Sequence, residues 1–243
     1  EQKYSRFIDG NFLSELNKNK SSQIDAEFLS ILKLCLKVSK LTKGYFDITL
    51  VPVLENLGYG IAVDTQNESL WYENIIIKDD TINLKNDVSL DIWAIGKWYM
   101  VDKIYNVLKH KVEAFTINFG GDIRVKWTQK IELEDPADEN KTIWKIQISN
   151  SSIASSAGNK RTFWNSHHLI NAKTKESQND KIAVYVTHKL SSFSDIFSTA
   201  LFVTPLELSL KILEQTPWLE ALIIASDGVM YKSRWFNCNL NMK

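Results

Sequence analysis

The sequence predicts a mixed α+β fold, and three observations carry that prediction. Stretches with helical periodicity and stretches with strand alternation interleave without a regular βαβ period. Of the 243 residues, 44% are hydrophobic, enough for one large domain or two small lobes sharing a core. Only nine glycines and four prolines interrupt the chain, so regular structure dominates. No internal repeat or low-complexity linker divides it, and residues 1–243 read as a single domain.

The elements follow in order. "DAEFLSILKLCLKVSKLTKG" (25–44) is the clearest helix: Asp25 can cap it, Phe28, Leu32, Leu36 and Val38 form an apolar stripe, and Gly44 ends it. "ITLVPVLENLG" (48–58) reads as a short helix or turn. "NIIIKDDTINL" (74–84) reads as a β-hairpin around Asp79 and Asp80. A helix from about 95 to 110 follows "SLDIWAIGKWYMVD" (89–102), and "AFTINF" (114–119) is a strand running into "GGD" (120–122). The segment "QKIELEDPADENKT" (129–142) is acidic and polar and reads as a solvated loop. "IWKIQIS" (143–149) and "KIAVYVTH" (181–188) alternate as strands. "SDIFSTALFV" (194–203) and "LELSLKILEQ" (206–215) suit helices, and "ALIIAS" (221–226) a buried strand.

Composition narrows the function. Twenty-nine basic and 29 acidic residues leave no formal net charge, which argues against nonspecific binding to nucleic acid or anionic membrane as the main task. Cys35 and Cys238 are too few for a disulfide framework and do not suggest a zinc site. No run of about 18 apolar residues is present to span a bilayer. The first residue is Glu1 rather than Met, so the sequence reads as a mature or trimmed product, with any targeting sequence missing from it.

Four places could carry chemistry. Gly120 and Gly121 end a strand, where paired glycines let a ligand approach the backbone; the plainer alternative is a tight turn. Asp195 and Thr199, four apart, share a helix face, and with Ser198 form an all-oxygen set suited to a hard cation such as Mg²⁺. The plainer alternative makes Asp195 an N-cap and Thr199 a core-facing residue. His167 and His168 precede a strand-like "LIN" and offer a general base, or else decorate a surface loop. Asp91 and Lys97, six apart, would not meet on one helix, but both can face a cleft at a helix N-terminus, where phosphate oxygens bind. A structural ion pair or a snorkelling lysine is the competing reading.

Taken in order, the motifs resemble the ApbE family of FAD:protein FMN transferases. "SRFIDGNFLSELN" (5–17) is similar to that family's S-x-Y/F…S-x-L…L-N opening. "TKGYFDITLVPVLENLGYG" (42–60) is similar to T-x-G-x-F-D-x-T-x-x-P…G-F-G. "DIWAIGKWYMVD" resembles D-x-G-A-x-x-K-G-x-x-x-D at Asp91, Ala94, Lys97 and Asp102. "NFGGD" matches N-x-G-G-D, and "SIASSAGNKR" stands where the family has A-T-S-G. "HHLINAKTK" replaces H-I-I-D-P-x-T-G, and "SDIFSTALFV" resembles A-D-A-x-A-T-A-L.

The resemblance covers nearly the whole chain. It implies a two-lobed, T-fold-like architecture with a flavin site in the cleft. It also implies FAD as donor, Mg²⁺ as cofactor, a Thr or Ser hydroxyl of a target flavoprotein as acceptor, and release of AMP. By the same resemblance, the metal ligands are the Asp195 carboxylate, the Thr199 hydroxyl and the backbone oxygen of Ala94. FAD contacts are Phe7, Tyr45, Phe46, Asp47, Asp91, Lys97 and Ile170, with Gly120 and Gly121 close to the ligand. Lys97 neutralises phosphate charge, and His168 deprotonates the accepting hydroxyl. The family is commonly exported and lipid-anchored at the bacterial cell envelope, which sets the expected location.

The chain departs from the pattern at Trp93 and Trp98, where the family has glycine, at Ser155, Ser156 and Ala157, and at Asn171, Ala172 and Lys175, where a carboxylate and a turn glycine are lost. The chain is expected to begin after the family's initial strand with its M-G-T motif. These departures leave open a flavin-binding relative without transfer activity, a degenerate scaffold without a flavin site, and an FAD pyrophosphatase without an acceptor.

Overall fold

A computed structural model of the chain describes residues 3–58, 71–136, 138–159, 162–163 and 166–236, with the backbone alone for 93–97, 139–140 and 162–163. The described helices are α1 (Phe12–Asn19), α2 (Ala26–Leu41), α3 (Val51–Asn56), α4 (Trp93–Leu108), α5 (Ser191–Val203) and α6 (Leu206–Gln215). The strands are β1 (Ser21–Gln23), β2 (Ile75–Lys78), β3 (Thr81–Leu84), β4 (Phe115–Phe119), β5 (Asp122–Lys126), β6 (Thr128–Asp135), β7 (Asp138–Ser149) and β8 (Ser152–Ala157). They continue with β9 (Thr162–Phe163), β10 (Ser166–His167), β11 (Ile170–Asn171), β12 (Glu176–Ser177), β13 (Lys181–His188), β14 (Glu220–Ala225) and β15 (Met230–Lys232).

The centre is a six-stranded sheet of order β15-β14-β13-β8-β5-β4, antiparallel at every pairing. An antiparallel sheet with helices packed on it is an α+β architecture, and α5 and α6 together form the connection from β13 to its antiparallel neighbour β14. Alternation along β13 and β14 sends side chains to two different cores. Val184, Val186, Ala221 and Ile223 join the larger core, with α1, α2 and α5 and the β1-β3-β2 sheet. Ala183, Tyr185, Leu222 and Ile224 join a smaller one on the opposite face.

That second core corrects the expectation of a solvated loop at 129–142. β6 and β7 form a long antiparallel hairpin, paired from Thr128 with Ser149 to Asp135 with Asp138. Ile131 and Leu133 alternate with charged residues, and both pack with Ile146, Ile148, Val125 and Ile153. The acidic composition belongs to the outward face of a strand; the period of two, masked by that composition, decides its structure.

α5 is buried around nearly its whole circumference. It therefore presents hydroxyls rather than charges to the sheet: Ser194 Oγ lies 2.8 Å from Ser152 Oγ, and Ser198 Oγ 2.9 Å from Ser156 Oγ, both on β8. Paired hydroxyls satisfy one another where water has no access and hold the helix in register on the strand. α2 begins as its sequence indicates, with the Phe28 N–H donating to Asp25 Oδ1 (2.8 Å).

Candidate active site

Three motif segments, far apart in sequence, meet just before α4. The Asn17 side chain accepts from the Leu90 N–H (2.7 Å) and donates to the Leu90 carbonyl (2.9 Å), so one amide satisfies both backbone polar groups of that residue. The Asp91 N–H donates to the Ile48 carbonyl (2.8 Å). Arg6 donates to Asp91 Oδ2 (3.0 Å) and to Glu55 Oε1 (2.9 Å), with its side chain 5% exposed. Asp91 is thus held in a structural ion-pair network reaching back to the start of the chain. The side chains of Trp93, Ala94 and Lys97 lie outside the described residues, and with them the sequence-based roles of Ala94 and Lys97. Their backbone forms the first turns of α4.

The stretch borders a cavity of about 640 Å³, a size suited to a cofactor-scale ligand. Of the residues singled out from sequence, Phe46, Asp47, Asp91, Gly120, Gly121, His168, Ile170, Asp195 and Thr199 all line it. Phe7 and Tyr45 are not among its lining residues. Phe7 is largely exposed beneath the Arg6 guanidinium (4.2 Å), and the Lys173 ammonium sits over the Tyr45 ring (4.7 Å).

Asp195 is the fifth residue of α5, which excludes the N-cap alternative, and Thr199 is one turn further along. Ser156 Oγ lies 3.3 Å from Thr199 Oγ1, adding a third oxygen to this wall. Among the described residues no group of three or more His, Cys, Asp and Glu side chains is gathered as a metal site. A cation here would draw on one carboxylate with hydroxyl, carbonyl and ligand oxygens, a donor set that fits Mg²⁺, which commonly takes one or two carboxylates plus substrate phosphates.

Asp47 lines the cavity, but its carboxylate is engaged with the protein. Oδ1 accepts from the Thr49 N–H and hydroxyl (both 2.9 Å), and Oδ2 from the Tyr72 N–H (2.8 Å). Burial pushes its pKa above the usual carboxylate range, opposed by those hydrogen bonds. Gly120 and Gly121 form the β4–β5 turn with φ of +66° and +98°, and a side chain at either would meet nothing within 4 Å. The turn conformation, rather than close packing, explains the two glycines. The following Asp122 accepts from the Ser155 N–H (2.8 Å) and so links this turn to β8.

The two histidines separate. His168 lines the cavity. His167 is buried in β10, not on a surface loop: its Nδ1 accepts from the Leu169 N–H (3.2 Å), so Nε2 carries the proton and donates to Asn179 Oδ1 (3.2 Å). Burial lowers its pKa. The next loop survives its substitutions. Asn171 Oδ1 accepts from the Lys173 and Thr174 N–H groups (3.0 and 3.3 Å), as an aspartate would, and Lys175 adopts φ +60° in place of a turn glycine.

Sequence reasoning missed the contributions of β6 and its turn. Ile131, Leu133, Glu134 and Asp135 line the cavity, and the Ile131–Leu133 alternation was the signal that could have found them. Trp98 also lines it, 6% exposed and edge-on to Phe119 at 5.8 Å, so this indole stands in the cavity wall.

Comparison with known proteins identifies the family and the fold. The chain is 28% identical over 239 residues to a FAD:protein FMN transferase of Buchnera aphidicola, covering 88% of this chain and 69% of that protein. It is 26% identical to the FAD:protein FMN transferase of Haemophilus influenzae, covering 95% and 77%. The fold superposes on the crystal structure of the ApbE protein from Thermotoga maritima with a TM-score of 0.86 at 23% identity, over 97% of this chain and 85% of that one. It superposes on the flavin transferase ApbE from Vibrio cholerae with a TM-score of 0.83 at 20% identity, over 97% and 84%. The sequence pattern of the ApbE family matches residues 1–223, nearly the whole chain that builds this cavity, and the chain belongs to the ApbE family.

Proposed function

We propose that this chain is a FAD:protein FMN transferase, depends on Mg²⁺ and releases AMP. The carrying observation is that Asp195, Thr199 and His168, from motifs separate in sequence, line one cavity in a member of the ApbE family. A cation fits one wall of this cavity, where Asp195, Thr199 and Ser156 bring a carboxylate and two hydroxyls together, an oxygen set suited to a hard cation beside a diphosphate.

In this reading Asp195 and Thr199, with the Ala94 carbonyl, hold the cation, and Lys97 adds charge. Bound Mg²⁺ supplies neutralisation of the diphosphate oxygens and of the departing AMP. His168 accepts the proton of a Thr or Ser hydroxyl on the acceptor flavoprotein. That oxygen bonds to the FMN phosphorus, and the bond from this phosphorus to the bridging oxygen breaks, so the bridging oxygen leaves on AMP. Phe46, Leu50, Leu54 and Ile170 offer the apolar surface a flavin or adenine ring requires. A place at the bacterial cell envelope, with a lipid anchor on the precursor, is proposed on the family resemblance.

Incubation with FAD, Mg²⁺ and an acceptor domain should yield covalent FMN and one AMP per transfer. Trp98 in the wall favours one second reading, a flavin-binding relative in which the indole blocks productive seating. Tight FAD binding without AMP would establish that version, and AMP with free FMN would indicate a pyrophosphatase.

A further inference from the structure

We infer that Asp102 is a positioning residue that sets α5, and with it Asp195 and Thr199, relative to α4. Asp102 lies on α4, 8% exposed, and its carboxylate receives the first turn of α5. Oδ1 accepts from the Ser191 N–H (2.7 Å), and Oδ2 from the Ser192 N–H (3.0 Å) and hydroxyl (2.8 Å). α5 has no cap of its own, since the residue before it is Leu190. A carboxylate from another helix therefore satisfies its orphan N–H groups and complements its dipole.

The same point is gripped from the sheet. Arg124, on β5, donates through Nη1 to the Lys189 carbonyl just before α5, and its guanidinium lies over the Tyr105 ring on α4 (3.9 Å). β5 starts at the Gly120–Gly121 turn. Asp102 and Arg124 thus tie together three elements that each lend residues to the cavity: Trp98 from α4, Asp122 and Ile123 from β5, and Asp195 and Thr199 from α5. Asp102 itself does not line the cavity, so its influence on a ligand passes through the placement of α5.

The assignment rests on the functional reading above, and its test separates the two. Flavin fluorescence of the full chain is titrated with Mg²⁺ at fixed FAD, for the unaltered protein and for Asp102→Ala, Asp102→Asn and Ile212→Ala. Ile212 is buried on α6, which lends no residue to the cavity, and its truncation reports general destabilisation. Positioning predicts a half-saturating Mg²⁺ concentration raised at least tenfold in Asp102→Ala, about threefold in Asp102→Asn, and less than twofold in Ile212→Ala. Turnover at saturating Mg²⁺ should then largely recover. Unchanged Mg²⁺ dependence in both Asp102 variants, or an equal shift in Ile212→Ala, overturns the assignment; if Asp102→Ala does not fold, Asp102→Asn decides it. Flavin binding indifferent to Mg²⁺ in the unaltered protein overturns the functional reading, and this assignment with it.

Discussion

Arg6 donates from Nε to Asp91 Oδ2 at 3.0 Å, joining residues 85 positions apart. The carboxylate placed before α4 therefore faces a buried guanidinium that also holds Glu55 on α3. Removing the cation leaves two poorly solvated carboxylates near one another. Arg6→Met should destabilise the protein by about 3 kcal/mol or more, as breakage of buried pairs does. Urea denaturation measures this, and a loss below about 1 kcal/mol would show that the network contributes no more than a surface pair.

On the proposed function, Asp195→Asn removes the charge that would face the cation while keeping size and helix. Transfer of FMN should fall by about 10²–10³-fold, in line with loss of an electrostatic group aimed at developing charge. The thermal midpoint should move little. AMP release measured by chromatography, alongside a melting curve, distinguishes a chemical loss from unfolding.

Trp98→Ala deletes a buried indole from the cavity wall and should cost about 3 kcal/mol in stability. If the indole obstructs seating of flavin, FAD affinity rises despite that loss. If it forms part of the binding surface, affinity falls. Calorimetric titration with FAD reads the sign directly.

Lys175 holds φ +60° at the turn between β11 and β12, a conformation costly for a side-chain-bearing residue. Lys175→Gly should stabilise the folded state by about 0.5–1 kcal/mol, the left-handed penalty less the added flexibility of the unfolded chain. Thermal unfolding checks it, and destabilisation would mean that the lysine side chain matters more than the backbone.

Acidification should weaken the fold below neutrality through His167 and His188. Burial lowers both pKa values below the ordinary 6.5. Their unfolded forms therefore take up protons first, and stability present above about pH 6.5 is lost as pH falls toward the folded-state values. The urea midpoint should drop between about pH 7 and 5.5, and His167→Gln should flatten part of that slope. A midpoint independent of pH over this interval would count against buried neutral imidazoles.

Local periodicity made most elements legible before any coordinates. α6 and β13 fall where their apolar patterns place them, and Asp25 caps α2 as its position before Phe28 suggests. The motif order also brought the cavity residues Asp195, Thr199, His168 and Gly120 into view. The β6–β7 hairpin escaped because its charges dominate the composition while only alternate residues, Ile131 and Leu133, reach the core.

The sequence by itself determined which residues could carry chemistry, because side-chain type and spacing along one helix or strand are local properties. Tertiary structure alone decided their partners. Asp91 finds Arg6, Leu90 finds Asn17, and Asp102 finds the start of α5, 89 residues away. Such pairings depend on which surfaces meet when two cores form on opposite faces of one sheet, and no spacing along the chain encodes that. The same physics explains Asp47: a family-like motif marked it as a ligand contact, and the fold sets it in the cavity wall with its carboxylate held by Thr49 and Tyr72, because a buried carboxylate requires donors and these N–H groups lie in reach.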